Sequence, residues 1–163
     1  MPRVVLVHPE IPPNTGNVAR TCAATGTQLH LIEPLGFDIT DRQLRRAGLD
    51  YWPLVDLVRH VSMEVFLEER RLRGGRLVAL SARARQPYSD FHFRNDDWLL
   101  FGRESDGLPE SLLHQADACL TIPMRTAETA QGASVRSLNL SVSVGVVLFE
   151  ALRQLKVTAA QAF

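Results

Sequence analysis

The sequence predicts an α/β fold built on a parallel sheet. Short, wholly apolar runs recur along the chain, each closed by turn chemistry, and helical patterns lie between them. A run apolar at every position reads as a strand buried on both faces, as parallel strands covered by helices are. Trp98-Leu-Leu-Phe101 is the clearest case, running into Gly102-Arg-Glu-Ser-Asp-Gly-Leu-Pro109. Open parallel sheets put their ligands beyond the carboxyl ends of their strands. Gly102 lets a ligand approach the backbone closely there, and Glu104 is a carboxylate at the mouth of such a crevice.

The elements follow in order. Arg3 to His8 reads as the first buried strand, and a helix over Asn17 to Ala24 stops at Gly26. Leu29 to Ile32 is the second strand. Ser62 caps a helix that ends before Gly74-Gly75, and Leu77 to Ser81 is the next strand. After Trp98 to Phe101, Pro109 suits a first helical turn, and Cys119 to Ile122 is the last strand. The final helix opens over Ser134 to Ser141 and runs to Leu155, apolar on nearly every side. Such a helix needs cover on every side, either from this chain's core or from a second subunit.

At 163 residues the chain reads as one domain over residues 1–163, enough to bury roughly 70% of its unfolded surface. Cys22 and Cys119 form no CxxC pair, so neither a disulfide framework nor a zinc site is indicated, and a reducing, cytoplasmic setting is expected. The apolar N-terminal run is too short for a signal peptide, and polar residues interrupt the apolar stretch from Leu138 to Leu155, which argues against a membrane span. Formal net charge is zero, yet 17 of the 18 basic residues are arginine, clustered at Arg42, Arg45 and Arg46, at Arg70 to Arg76, and at Arg83 and Arg85. Local arginine patches permit RNA binding without requiring it. There is no GxGxxG after a strand, no P-loop, no HExxH and no GxSxG, and the five histidines lack metal-ligand spacing. No metal is expected.

Two more loops carry site chemistry. Pro9-Glu-Ile-Pro-Pro-Asn-Thr-Gly-Asn-Val-Ala-Arg20 follows the first strand; its prolines suggest an extended entry, with Asn14, Thr15 or Asn17 capping a helix whose free N–H groups suit phosphate. Ile122-Pro-Met124 leads through a polar loop to Ser137-Leu-Asn-Leu-Ser141, where Ser137 and Asn139 are good first-turn residues.

Together the three loops resemble the motifs of the SPOUT superfamily of S-adenosylmethionine-dependent RNA methyltransferases. The likeness is to its small single-domain branch, which methylates the wobble ribose of tRNA, and it runs from about Val4 to Leu155. Leu31-Ile-Glu-Pro34 and Arg45-Arg-Ala-Gly-Leu-Asp-Tyr51 also match that branch. The resemblance implies a parallel-sheet α/β sandwich with a C-terminal deep trefoil knot, a topology that general rules of chain connection would not suggest. It also implies a homodimer and tRNA, through its anticodon stem-loop, as partner. Leu80, Gly102, Ile122 and Met124 would hold S-adenosylmethionine, with Ser137 and Leu138 closing over it. Asn14, Asn17 and Arg46 would contact substrate.

By the same resemblance, Arg20, Glu104 and Asn139 carry the chemistry. A guanidinium with a pKa of about 12.5 is no base. Arg20 is therefore expected to position the ribose hydroxyl or a phosphate and to stabilise the developing alkoxide. Glu104 is expected to orient Arg20 or the substrate, and Asn139 to hold the loop or ribose. Two departures stand out: the segment between Met124 and Ser137 is longer than usual for the branch, and Arg103 stands where the family often has proline or a small residue. Rival readings are a related enzyme acting on another tRNA or rRNA site, a non-catalytic RNA- or cofactor-binding protein, and an unrelated small-molecule enzyme.

Overall fold

A computed structural model describes residues 1–40, 49–125 and 135–156. Among these, seven parallel strands form one sheet in the order β3-β2-β1-β6-β4-β7-β5. The strands are β1 (Arg3–Val7), β2 (Leu29–Ile32), β3 (Leu57–His60), β4 (Leu77–Leu80), β5 (Gln86–Pro87), β6 (Trp98–Phe101) and β7 (Ala118–Thr121). Four α-helices accompany them among the described residues: α1 (Pro12–Thr25), α2 (Met63–Arg73), α3 (Glu110–Gln115) and α4 (Leu140–Gln154).

Both faces of the central strands are buried. Val4, Leu6, Leu29, Leu31, Val78, Leu99 and Phe101 point to one side, where α1 supplies Val18 and Cys22 and α4 supplies Val144, Val147, Leu148 and Ala151. Val5, Val7, Ile32, Ala79, Trp98 and Leu100 point to the other, against Phe66 of α2 and Leu112 of α3. Every residue of β6 is buried, which is why the run carries no alternation.

Local signals in the sequence have their expected effect at three helix ends. Gly26 takes the left-handed conformation that closes α1 (φ 63°, ψ 24°). Ser62 caps α2, accepting from the N–H of Val65 at 3.4 Å, and Asn139 caps α4, accepting from the N–H of Ser141 at 2.8 Å.

Other expectations need correction. α1 begins at Pro12, not Asn17: Pro12 and Pro13 form its first turn, where a missing N–H costs nothing, and Ile11 is the N-cap, whose own side chain makes no capping bond. The residues before Leu140 lie outside α4, so Ser137 belongs to the loop. β3 and β5 escape sequence reading because each is short and polar at an edge: β3 contains Arg59 and His60, and β5 is two residues long with one proline.

Candidate active site

The ends of β6, β4 and β7 lie side by side, with Leu80 level with both Phe101 and Leu120. The loops leaving them, with the entry to α1 and the segment before α4, surround a cavity of about 900 Å³. Its walls include Leu80, Gly102, Ile122, Met124, Ser137 and Leu138, together with Asn14, Glu104 and Asn139. Phe101, Leu108 and Leu113 add apolar surface. Arg20 and Asn17 are not among the lining residues; they share an exposed face of α1, three residues apart, while Asn14 points inward and is buried. Arg46 lies outside the described residues.

A chain of polar side chains ties the loops together. Glu104 Oε2 accepts from the N–H of Glu10 at 2.8 Å, and Oε1 accepts from the N–H of Ile11 at 3.3 Å and from Asn14 Nδ2 at 3.1 Å. Asn14 Oδ1 in turn accepts from Asn139 Nδ2 at 2.8 Å, and Asn139 Oδ1 accepts from Ser141 Oγ at 2.7 Å. The reverse bond also forms: Glu10 accepts from the N–H and the hydroxyl of Ser105, both at 3.1 Å. Residues 10 and 104–105 thus clasp each other with two carboxylates.

Two expectations change here. Glu104 does not orient Arg20; its bonds go to the entry of α1, so it acts as a helix cap supplied from a distant loop. Nor does the α1 N-terminus present free donors to a phosphate. Pro12 and Pro13 have no N–H, and the N–H groups of Glu10 and Ile11 are given to Glu104.

Gly102, a lining residue of the cavity, also meets a constraint from within the chain. A Cβ on it would run into the backbone of Gly107 and Leu108, because the 103–107 turn folds directly back over it. That turn is closed by a bond from the Gly107 N–H to the Arg103 carbonyl at 3.0 Å, by Gly107 in the left-handed region (φ 79°), and by an ion pair between Arg103 and Asp106. Each partner of the pair pushes the other further into its charged form. Arg103 is therefore a brace of the turn.

Glu10 and Ser105 are absent from the sequence-derived site. A carboxylate one residue before the Ile-Pro-Pro entry to a helix is the only local signal for Glu10, and its partner lies 95 residues away. Among the described residues no group of three or more His, Cys, Asp or Glu has the arrangement to hold a metal, and no helix is long and apolar enough to cross a membrane.

Comparison with known proteins fits this geometry. Residues 1–149 match the SpoU rRNA Methylase family. A solved structure concerned with "the 2-OH methylation of C/U34 on tRNA" superposes with a TM-score of 0.88 at 52% identity, covering 97% of this chain and 98% of that one. A tRNA (cytidine(34)-2'-O)-methyltransferase of Beijerinckia indica is 48% identical over 93% of this chain and 90% of its own. The SpoU methyltransferase AviRb of Streptomyces viridochromogenes, solved in complex with AdoMet, superposes with a TM-score of 0.79 at 26% identity, covering 96% of this chain and 58% of its own. From matched residues, likeness to these relatives and the shared sheet, the chain belongs to the SpoU rRNA methylase family.

Proposed function

We propose that this chain transfers a methyl group from S-adenosylmethionine to the 2′-hydroxyl of the wobble nucleotide, cytidine or uridine 34, of tRNA. The observation that carries this reading is the joining of the three motif loops around one cavity by the Glu104–Asn14–Asn139 chain, in a protein about half identical to relatives named for that reaction.

The cavity fits the cofactor. Its volume of about 900 Å³ lies in the range of small-molecule sites. Leu80, Ile122, Met124 and Leu138 offer apolar walls, and the turns at 80–83, 102–108 and 121–124 offer main-chain donors and acceptors. When bound, S-adenosylmethionine supplies a methyl group already activated on a sulfonium.

The chain's own residues must then align and ease deprotonation of a ribose hydroxyl, and alignment is worth roughly 7–11 kcal/mol in favourable cases. Asn14 and Asn139 hold the wall rigid from inside. Arg20 meets the ribose or its phosphate from the exposed face of α1 and stabilises the developing negative charge. Asn17, on the same face, and Arg46 contact the RNA.

The finer architecture belongs to the same reading. α4 packs on α1 and β6, while β7 lies beyond β4 in the sheet. That placement, together with the family membership, supports a C-terminal deep trefoil knot. Val142 and Phe149 lie two turns apart along α4, 50% and 57% exposed, and Gly145 between them has open space beside it. A second copy covers this apolar stripe in a homodimer. The whole chain acts as one domain in the cytoplasm.

The test is direct. Purified protein with methyl-labelled cofactor and tRNA is expected to place label on the ribose of nucleotide 34. Label at another nucleotide or only in rRNA overturns the assigned position, and absence of label from all RNA overturns the activity.

A further inference from the structure

We infer that Tyr51 is a positioning residue for Arg20, holding its guanidinium by the face so that its hydrogen-bonding edge stays open to the RNA backbone. The inference rests on the role assigned to Arg20 under the proposed function. The Arg20 guanidinium carbon lies 5.0 Å from the centroid of the Tyr51 ring. Tyr51 belongs to the short 3-10 turn Leu49–Leu54, which packs beside α1, and is itself 41% exposed.

Half of the fourteen arginines among the described residues are held closely by carboxylates. Arg59, Arg70, Arg71, Arg73, Arg76, Arg103 and Arg153 each sit in an ion pair of 2.9 Å or less. Among the described residues, Arg20 has no hydrogen bond or ion pair, and Tyr51 is its cation–π partner. The distinction has a chemical consequence. A carboxylate takes the in-plane N–H groups of a guanidinium and cancels its charge; an aromatic ring takes only the face. A cation–π contact therefore restrains the side chain without cancelling its charge, which stays available to a phosphate or ribose oxygen. The ring face makes this contact, so the phenol hydroxyl is dispensable.

The experiment compares wild type, Arg20→Ala, Tyr51→Leu, Tyr51→Phe and Arg20→Ala/Tyr51→Leu in the full-length protein. Three quantities are read: single-turnover methyl transfer to tRNA, calorimetric affinity for S-adenosylmethionine, and melting temperature. Tyr51→Leu is expected to slow transfer by about tenfold to a hundredfold, the scale of misplacing a reacting group. Cofactor affinity stays within about twofold, Tyr51→Phe restores the rate, and the double variant is no slower than Arg20→Ala alone. A wild-type rate in Tyr51→Leu, or equal impairment in Tyr51→Phe, overturns the inference. Inactive wild-type protein instead overturns the proposed function, so the two failures are distinct. A measurement without any leucine variant also decides it: the Arg20 Nε–H proton, identified by its loss in Arg20→Lys, is expected upfield in wild type and Tyr51→Phe from the ring current. An unshifted resonance overturns the stack.

Discussion

Asn14 and Asn139 are hydrogen-bonded at 2.8 Å although 125 residues separate them, and chemistry fixes the direction of the bond. An ionised Glu104 only accepts, so Asn14 presents its amide nitrogen to it and its oxygen to Asn139. Asn14→Ala leaves Glu104 and Asn139 each short of one partner and is expected to cost about 1–3 kcal/mol in urea denaturation. Asn14→Asp is expected to cost more, because it sets a second carboxylate against Glu104. A double-mutant cycle with Asn139→Ala should give a coupling above about 0.5 kcal/mol. Strict additivity would break the chain of bonds described above.

Gly102→Ala forces the 103–107 turn outward, since the new methyl collides with backbone rather than with a movable side chain. A loss of about 3 kcal/mol is expected, at the upper end for overpacking. Calorimetry should register loss of S-adenosylmethionine affinity, because the same turn carries Glu104 and walls the cavity. Unchanged stability and affinity would show that the turn is looser than its bonds imply.

Acid should destabilise the protein through a buried imidazole pair. His30 Nδ1 and His60 Nε2 are 2.8 Å apart, and the rings stack 5.1 Å apart. Burial above all, then His60, Arg73 and Arg3, pushes His30 down to about 3. Burial also lowers His60, against the opposing pull of Glu69. In the unfolded chain both imidazoles take up protons below about pH 6.5, while folded His30 does not. The unfolded state therefore binds more protons between about pH 3 and 6.5. Stability rises with pH across that window, by up to ~1.4 kcal/mol per unit for one imidazole. Urea midpoints should fall from pH 7 to pH 5, and His30→Gln should flatten that slope.

Phe149→Glu places a charge on the exposed stripe of α4. If the stripe is the dimer seam, sedimentation should show a monomer whose circular dichroism matches wild type, because the side chain is more than half exposed within one chain. A dimer of unchanged mass would move the interface elsewhere.

The central strands are legible in the sequence because both their faces are buried, which leaves runs such as Trp98–Phe101 without polar interruption. Edge strands are not legible, since half of each is solvent-facing and Arg59 or Pro87 hides the pattern. At the site, residue identities were readable but pairings were not. The Glu104 bonds span 90 to 94 residues, and no local rule connects a carboxylate to a helix start at that distance. The start of α1 is hidden for a related reason: Asn14 looks like a cap, but its side chain is committed to the cavity wall, and the cap comes from Glu104.

The span between Asn14 and Asn139 also sets an order of events during synthesis. The first wall of the cavity emerges from the ribosome with the opening residues, and its last wall follows only when α4 does. A chain cut before Ser137 contains all seven strands and Glu104, yet it leaves the Asn14 side-chain oxygen without Asn139. Cofactor binding by growing chains, followed as a function of their length, should thus switch on abruptly near completion.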